Sequence, residues 1–421
     1  MALDAAVLPQ PVIPNQSSGC RLQRHEGPGN APTGRFVRAP FDLVILSGAD
    51  GYDKEKTVRF GLFYQLPCAP DQSEPIRYNE TIEQLVLADQ LGFDIAWLAE
   101  LHFFRPFSVM PAPLYVAVAA AQRTRQIRFG TGVILVPFHH PLRIAEETAV
   151  ADILTGGRLD VGVGRGTIAL HFQGFGVSRE ESRARFEEGL EVIVKAWTSD
   201  HLEHKGRYFE FPDTALAPKP VQKPHPPLRI AANSPETAEF AGLHNYDVMV
   251  ASPINPMPGF FEHVRKYRNA LSGAGHVQQA RDVAALFFVS PGDNLEQVRA
   301  QFDPSMMHYF RTIGEQARVG GRGQYEGTYQ YLQQVRERAA NIGWDEVERT
   351  MGVFGPADEC VRRINQIYDG AHIDQLVCWF NPGGRVPHKA VMAAMEHFAA
   401  KVMPAVRSLG RSEPGASGPK A

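Results

Sequence analysis

Cysteine is scarce in this chain of 421 residues, and its four copies, Cys20, Cys68, Cys360 and Cys378, stand far apart. None of them forms a C-x-x-C pair, so the sequence indicates neither a structural zinc site nor a disulfide framework. A reducing compartment suits such a chain, and we expect it in the cytoplasm.

Long apolar runs and an excess of one charge are absent as well. Without a stretch of about 18 apolar residues, a membrane span is not expected. The opening stretch MALDAAVLPQPVIPNQ lacks a basic region and is interrupted by prolines, which makes it a poor signal peptide. The formal net charge of −3 gives no electrostatic basis for binding nucleic acid or an anionic membrane surface.

The two ends of the chain differ in composition from its middle. Residues 1–40 are rich in proline, glycine, asparagine and glutamine, whereas FDLVILSGAD at 41–50 could form an added strand or a packing arm. We therefore expect a largely irregular N-terminal extension over 1–57, one large domain over 58–405, and a disordered tail over 406–421.

From Val58 onward, short apolar runs alternate with helical patterns, as in a parallel sheet covered by helices. The eight predicted strands are residues 58–65, 93–100, 127–136, 158–166, 227–233, 246–253, 283–290 and 374–380. Eight alternations favour a (β/α)8 TIM barrel with insertions over an open doubly wound sheet. Asn79 is predicted to cap the first helix and Gly92 to end it, and Pro141 to begin the helix after the third strand.

Three further segments complete the predicted barrel. One long helix is expected after the fourth strand, through Trp197. The proline-rich residues 198–226 predict a hairpin and an extended loop. Residues 291–353 predict extra helices, which are either a lid over the active site or a packing insertion.

Enzymes built on such barrels carry their chemistry at the C-terminal ends of the strands. Arg165 follows the fourth strand within VGVGRG, where glycines allow close backbone approach and the guanidinium can grip a phosphate. Ser234 and Thr237 open the helix after the fifth strand, where amide groups and the helix dipole favour an anion. Ser234 could instead be only an N-cap, and Glu236 is expected to point outward.

Polar residues also follow the second and third strands: Glu100, His102, His139 and His140. They allow three interpretations. The residues could bind a metal ion, the histidines could be structural, or they could orient a ligand and transfer protons near neutral pH. No HExxH or H-x-H pattern supports the metal interpretation.

Five segments in this order resemble the bacterial luciferase-like, flavin-dependent monooxygenase superfamily, over about residues 58–405. They are GFDIAWLAELHFF, IRFGTGVILVPFHHPLRIAEE, GGRLDVGVGRG, PKPVQKPHPPLRIAANSPETAEFA and FGPADECVRRINQIYDGAHIDQLV. The resemblance implies a luciferase-like (β/α)8 barrel that uses reduced flavin mononucleotide (FMN) and molecular oxygen.

The resemblance also implies roles for individual residues. Arg165, Ser234 and Thr237 would hold the flavin phosphate, and Asn233 would face the ribityl chain or the ring edge. The step from Gly132 to Val133 would lie beneath the isoalloxazine ring, where relatives carry a non-proline cis peptide.

The candidate catalytic residues are Glu100, His102 and His140, with His140 at the rim of the flavin site and His139 less clearly placed. Luciferases proper carry Glu-His-His after the second strand, whereas this chain has Glu100-Leu101-His102. The missing histidine argues against light-emitting aldehyde oxidation and leaves monooxygenation open. An apolar substrate cavity is expected from Leu101, Phe103, Phe104, Phe107 and Phe138.

The sequence therefore predicts an FMN-dependent monooxygenase that oxygenates an apolar or aromatic small molecule through a flavin C4a-peroxide. A separate flavin reductase would supply the reduced FMN, and the chain would form a homodimer. Two alternatives stay open: a deazaflavin-dependent dehydrogenase or reductase of the same superfamily, and a flavin-binding protein without turnover.

Overall fold

The computed structural model describes residues 58–69, 71–277, 281–319 and 337–407. The apolar run at 41–50 and the rest of the predicted extension lie outside these ranges, as does the tail beyond Arg407. Within the described ranges, no helix combines the length and apolar character needed to cross a membrane.

A closed barrel of parallel strands forms the centre of the described chain. Its strands are β1 (Arg59–Tyr64), β2 (Ile95–Leu98), β3 (Arg128–Thr131) with its continuation β4 (Ile134–Leu135), β5 (Leu159–Gly164), β8 (Leu228–Ala231), β9 (Asp247–Ala251), β10 (Val283–Pro291) and β12 (Gln375–Trp379). They pair side by side in this order, β9 pairs with β10, and β12 pairs with both β10 and β1, which closes the ring. The predicted (β/α)8 TIM barrel and its eight strands are confirmed.

Helices follow the strands and cover the barrel. They are α1 (Glu74–Leu91), α2 (Pro113–Ala121), α3 (Pro141–Leu154), α4 (Ala169–Phe175), α5 (Ser182–Thr198), α6 (Pro235–Leu243), α7 (Met257–Gly273), α8 (Leu295–Val319), α9 (Trp344–Thr350), α10 (Ala357–Ala371), α11 (His388–His397) and α12 (Met403–Val406). Val406 is buried, so the packed chain extends one residue beyond the predicted limit at 405.

Helix boundaries were predicted with mixed success. Gly92 ends α1 in the left-handed conformation (φ 78°), and Pro141 is the first residue of α3, both as predicted. The predicted cap at Asn79 is wrong, because α1 begins after Ser73 with a proline in its first turn. The predicted single helix through Trp197 is also wrong: Gly176, with φ 65°, ends α4 and separates it from α5.

Two insertions interrupt the regular alternation. Strands β6 (Leu202–Lys205) and β7 (Glu210–Thr214) form the predicted hairpin within 198–226. The second insertion supplies α8, α9 and the short strand β11 (Gly352–Gly355), which pairs with the end of β10 outside the ring. Helix α8 lines the barrel's cavity with Tyr309, Ile313 and Gln316. This position is compatible with the predicted lid over the active site.

Trp97 fills the interior of the barrel from β2 and is fully buried. Its indole Nε1 donates a hydrogen bond to Gln375 Oε1 at 2.8 Å, so its polar atom is satisfied. The ring leaves no space for a side chain on the neighbouring strand, because a Cβ atom at Gly130 would lie 2.2 Å from it.

We expect Gly130→Ala to destabilise the protein by about 1–3 kcal/mol, the usual cost of overpacking a rigid core. Gly61→Ala is the matched control, because a Cβ atom there would lie 3.2 Å from Ile95 and 3.3 Å from Trp97. Chemical denaturation should give the larger loss for Gly130→Ala. Equal losses would contradict this account of Trp97.

Candidate active site

A cavity of about 280 Å³ opens at the C-terminal end of the barrel. Its wall includes seven of the nine site residues proposed from the sequence: Glu100, Gly132, Val133, Arg165, Asn233, Ser234 and Thr237. The strand ends therefore bring most of the predicted site together, as expected for this fold.

One end of the cavity combines a cation with the start of a helix. The Arg165 guanidinium lies 3.4 Å from Thr237 Oγ1, in the first turn of α6. Ser234 is the N-cap of α6: its hydroxyl accepts a hydrogen bond from the Thr237 amide and lies 3.0 Å from the Thr237 hydroxyl. Guanidinium, hydroxyls and helix dipole thus converge as an anion site requires.

Asn233 and Glu236 lie on either side of Ser234 at the start of α6. Asn233 lines the cavity, and its Oδ1 accepts a hydrogen bond from the Ala251 amide at 2.9 Å, which ties the end of β8 to that of β9. Glu236 is exposed and outside the cavity wall, as predicted, so its negative charge does not oppose an anion there.

The peptide between Gly132 and Val133 is cis and lies in the cavity wall, as the resemblance implied. It separates β3 from β4, so the predicted continuous strand over 127–136 is interrupted at these two residues. Strand β5, which pairs with β3 and β4, carries glycines next to this peptide. A Cβ atom at Gly162 would lie 2.1 Å from the Thr131 carbonyl oxygen. One at Gly164 would lie 2.6 Å from Val133.

Glu100 is buried and accepts hydrogen bonds from three donors. Its Oε1 accepts from His102 Nε2 at 2.8 Å and from His139 Nε2 at 2.7 Å. Its Oε2 accepts from the Leu135 amide at 3.1 Å. Because a carboxylate only accepts, both imidazoles carry a proton on Nε2.

The same contacts set the charges of this cluster. Burial raises the pKa of Glu100, but the hydrogen bonds from His102 and His139, the charge of His139 and the hydrogen bond from the Leu135 amide together outweigh it, so the net pKa lies below 4.5. Burial lowers the pKa of His139, whereas the hydrogen bond and charge of Glu100 raise it more, so the net pKa lies above 6.5. Glu100 is therefore ionised near neutral pH, and His139 readily holds a proton.

The ligand atoms of Glu100, His102 and His139 lie within 4.8 Å of one another, a spacing that a metal site would also have. Both Nε2 atoms, however, are already paired with the same oxygen. The hydrogen-bond pattern accounts for the arrangement without an ion.

The structure corrects the placement of the two consecutive histidines. His140, expected at the rim, is exposed outside the cavity wall, precedes α3, and packs against Phe209 and Phe211 around the hairpin. His139, which the sequence left less clearly placed, contacts Glu100. The turn Val136–Phe138 before them rotates the chain, and no strand periodicity reveals this rotation.

His102 is also outside the cavity wall and reaches it only through its neighbours. Its side chain bonds to Glu100, and its backbone amide donates to His171 Nε2 at 3.1 Å. His171 lines the cavity and is a residue that sequence reasoning missed. His171 lies in the separate helix α4, which ends at Gly176. Only recognition of Gly176 as a helix end would have indicated this separate helix from the sequence.

The apolar wall differs in part from the prediction. Leu101 and Phe107 line the cavity, whereas Phe103 is 55 % exposed and Phe138 packs against the Phe172 ring at 4.8 Å. Phe104 packs against the core without entering the cavity wall. The remaining aromatic wall consists of Phe63, Tyr309 and Trp379.

Comparisons with known proteins identify a family and several similar proteins. The family model of luciferase-like monooxygenases matches residues 58–375. The oxygenase component of a flavin-dependent trigonelline monooxygenase from Acinetobacter baylyi is 29% identical, over 83% of this chain and 95% of its own.

Two solved structures share the fold. The monooxygenase RslO1 from Streptomyces bottropensis is 26% identical with a TM-score of 0.67, covering 82% of this chain and 99% of its own. The oxygenating constituent of 3,6-diketocamphane monooxygenase from Pseudomonas putida, solved with FMN, is 18% identical with a TM-score of 0.69, covering 83% and 98%. The chain belongs to the luciferase-like monooxygenase family.

Proposed function

We propose that this chain is the oxygenase of a two-component system, which uses reduced FMN and oxygen to oxygenate an apolar or aromatic small molecule. The observation that carries the proposal is the convergence of Arg165 and the start of α6 at one end of a cavity that is aromatic elsewhere. A phosphate at the polar end would direct an attached flat ring along the wall.

The residues present fit FMN. Arg165, Ser234 and Thr237 would hold its phosphate, and the ring would lie against Gly132–Val133 in the cavity wall. Asn233 would meet the ribityl chain or the ring edge. When bound, reduced flavin supplies the activation of oxygen, and the protein supplies orientation and a dry pocket.

Glu100 and its histidines would position the reacting end of the site. Glu100 lies in the cavity wall and accepts hydrogen bonds from His102 and His139, which both lie outside that wall. His139 would retain a proton at Nε2 near the cavity, available to the bound molecules through Glu100. We therefore assign His139, rather than His140, to the proton-holding role, with Glu100 and His102 as proposed from the sequence.

Two partner proposals accompany this function. The trigonelline relative is named an oxygenase component, which supports a separate flavin reductase for this chain as well. Exposed apolar side chains on α2 and α3, namely Tyr115, Val150 and Leu154, support a homodimer through these helices. The described cysteines, Cys68, Cys360 and Cys378, are free thiols, which suits the cytoplasm.

Anaerobic titration first tests the cofactor: we expect the chain to bind reduced FMN more tightly than a reduced deazaflavin. Tighter binding of the deazaflavin would favour the dehydrogenase or reductase alternative.

A turnover assay then tests the chemistry, with a flavin reductase, NADH and neutral aromatic ketones as substrates. We expect product only with oxygen, and with one labelled atom from ¹⁸O₂. Equal product under strict anaerobiosis would contradict oxygenation.

A further inference from the structure

Three buried side-chain polar atoms, each belonging to a residue of the cavity wall, have no hydrogen-bond partner among the described residues. They are His171 Nδ1, Gln316 Nε2 and Gln65 Oε1. The side chains that carry them are at most 6% exposed. Leaving such an atom unpaired is costly, so three of them in one wall indicate groups that a ligand would satisfy.

The hydrogen bond from the His102 amide fixes the tautomer of the His171 ring. The His102 amide donates to His171 Nε2, so Nε2 carries no proton and the neutral ring must carry its proton on Nδ1. Burial, and next the neighbouring His102, lower the pKa of His171 to about 4, so the ring is neutral at physiological pH. Nδ1–H is therefore a fixed donor.

Gln316 offers a second donor from the helix above. Gln316 shares one face of α8 with Tyr309 and Ile313, because successive members of this set are four and three residues apart. All three residues line the cavity. Helix α8 packs against α4, the helix that carries His171. Two neighbouring helices thus each contribute to this wall a residue that carries an unpaired, neutral N–H donor.

Charge and shape limit what these donors would bind. Both donors are neutral, Glu100 in the same wall is ionised, and Arg165 is assigned to the flavin phosphate. A buried carboxylate would lack a compensating cation here, whereas a carbonyl oxygen needs only hydrogen bonds. Phe63, Phe107 and Trp379 supply aromatic surface that favours a flat partner.

We infer that His171 and Gln316 form a substrate subsite for the carbonyl oxygen of a neutral, planar aromatic compound. This inference rests on the proposed function, because it places FMN at the polar end of the cavity. It adds a substrate class and two specificity-determining residues, one of which belongs to the insertion that carries α8.

Calorimetric titration of the full chain, with and without FMN, tests the subsite with four probes. Acetophenone is the reference compound. Ethylbenzene lacks its carbonyl acceptor, benzoate adds a negative charge, and cyclohexyl methyl ketone replaces the planar ring by a non-planar one. We expect acetophenone to bind about tenfold more tightly than each of the others, the scale of one hydrogen bond of 1–1.5 kcal/mol.

Paired variants separate donation from packing. His171→Gln places an acceptor where Nε2 stands, so it can keep the bond from the His102 amide but lacks the Nδ1–H donor. His171→Asn places a polar group where Nδ1 stands. We expect His171→Gln and Gln316→Leu to abolish the preference for acetophenone over ethylbenzene, and His171→Asn to retain it.

Several outcomes would overturn the inference. Equal affinity of the wild type for acetophenone and ethylbenzene would do so, as would tighter binding of benzoate or a preference unchanged in His171→Gln. Thermal melting of each variant identifies losses caused by misfolding. Failure of the wild type to bind FMN would reject the proposed function, whereas the titrations without FMN would still test the subsite.

Discussion

Replacing Arg165 with alanine is expected to weaken FMN binding by about 1.5–3 kcal/mol, a factor of roughly 10 to 150. The loss follows from the geometry at the start of α6, where the guanidinium lies 3.4 Å from Thr237 Oγ1. Without it, the helix dipole and the hydroxyls of Ser234 and Thr237 would face the phosphate alone. Fluorescence titration of FMN measures the change.

Riboflavin, which lacks the phosphate, provides the control ligand. We expect Arg165→Ala to leave the affinity for riboflavin nearly unchanged. Arg165→Lys should recover part of the affinity for FMN, because lysine restores the positive charge but not the planar, two-pronged donor geometry of the guanidinium. Arg143→Ala is the matched control variant, since Arg143 is exposed on α3 and pairs with Glu147. Equal losses for FMN and riboflavin would refute a phosphate contact.

The fold could be predicted largely because each strand is a short apolar run between recognisable boundaries. Strand ends such as Arg165 and Thr237 could be assigned to one cavity for the same reason: in a parallel barrel, all C-terminal ends share one rim. Neither the prediction of the strands nor that of the shared rim required knowledge of side-chain orientations.

The misplaced residues lie where the chain turns between elements. His139 and His140 follow a short turn whose rotation depends on packing, so the sequence did not reveal which ring would meet Glu100. His171 depends on a helix end at Gly176, and Gln316 on the packing of α8 against α4. Non-local contacts determine these positions, whereas local patterns determine the strands.

Replacing Glu100 with leucine is expected to destabilise the protein by about 3–5 kcal/mol, the usual cost of removing one partner from a buried charged pair. The substitution removes the acceptor for His102, His139 and the Leu135 amide together. Glu100→Gln should cost less, because one oxygen remains. Denaturant unfolding measures both, and Glu146→Gln, a change at a half-buried carboxylate on α3 outside this cluster, is the control.

The stabilisation from this cluster should also depend on pH in a defined direction. The pKa of Glu100 is lowered in the folded chain, so its contribution is complete above about pH 4.5 and is lost as the pH falls through the folded value. The pKa of His139 is raised, so its contribution is complete below about pH 6.5 and is lost as the pH rises through the folded value. The difference in melting temperature between wild type and Glu100→Gln should therefore be largest between these limits and decrease on both sides. A difference that does not vary from pH 4 to pH 9 would mean that the two histidines and Glu100 interact only as neutral hydrogen-bonding groups.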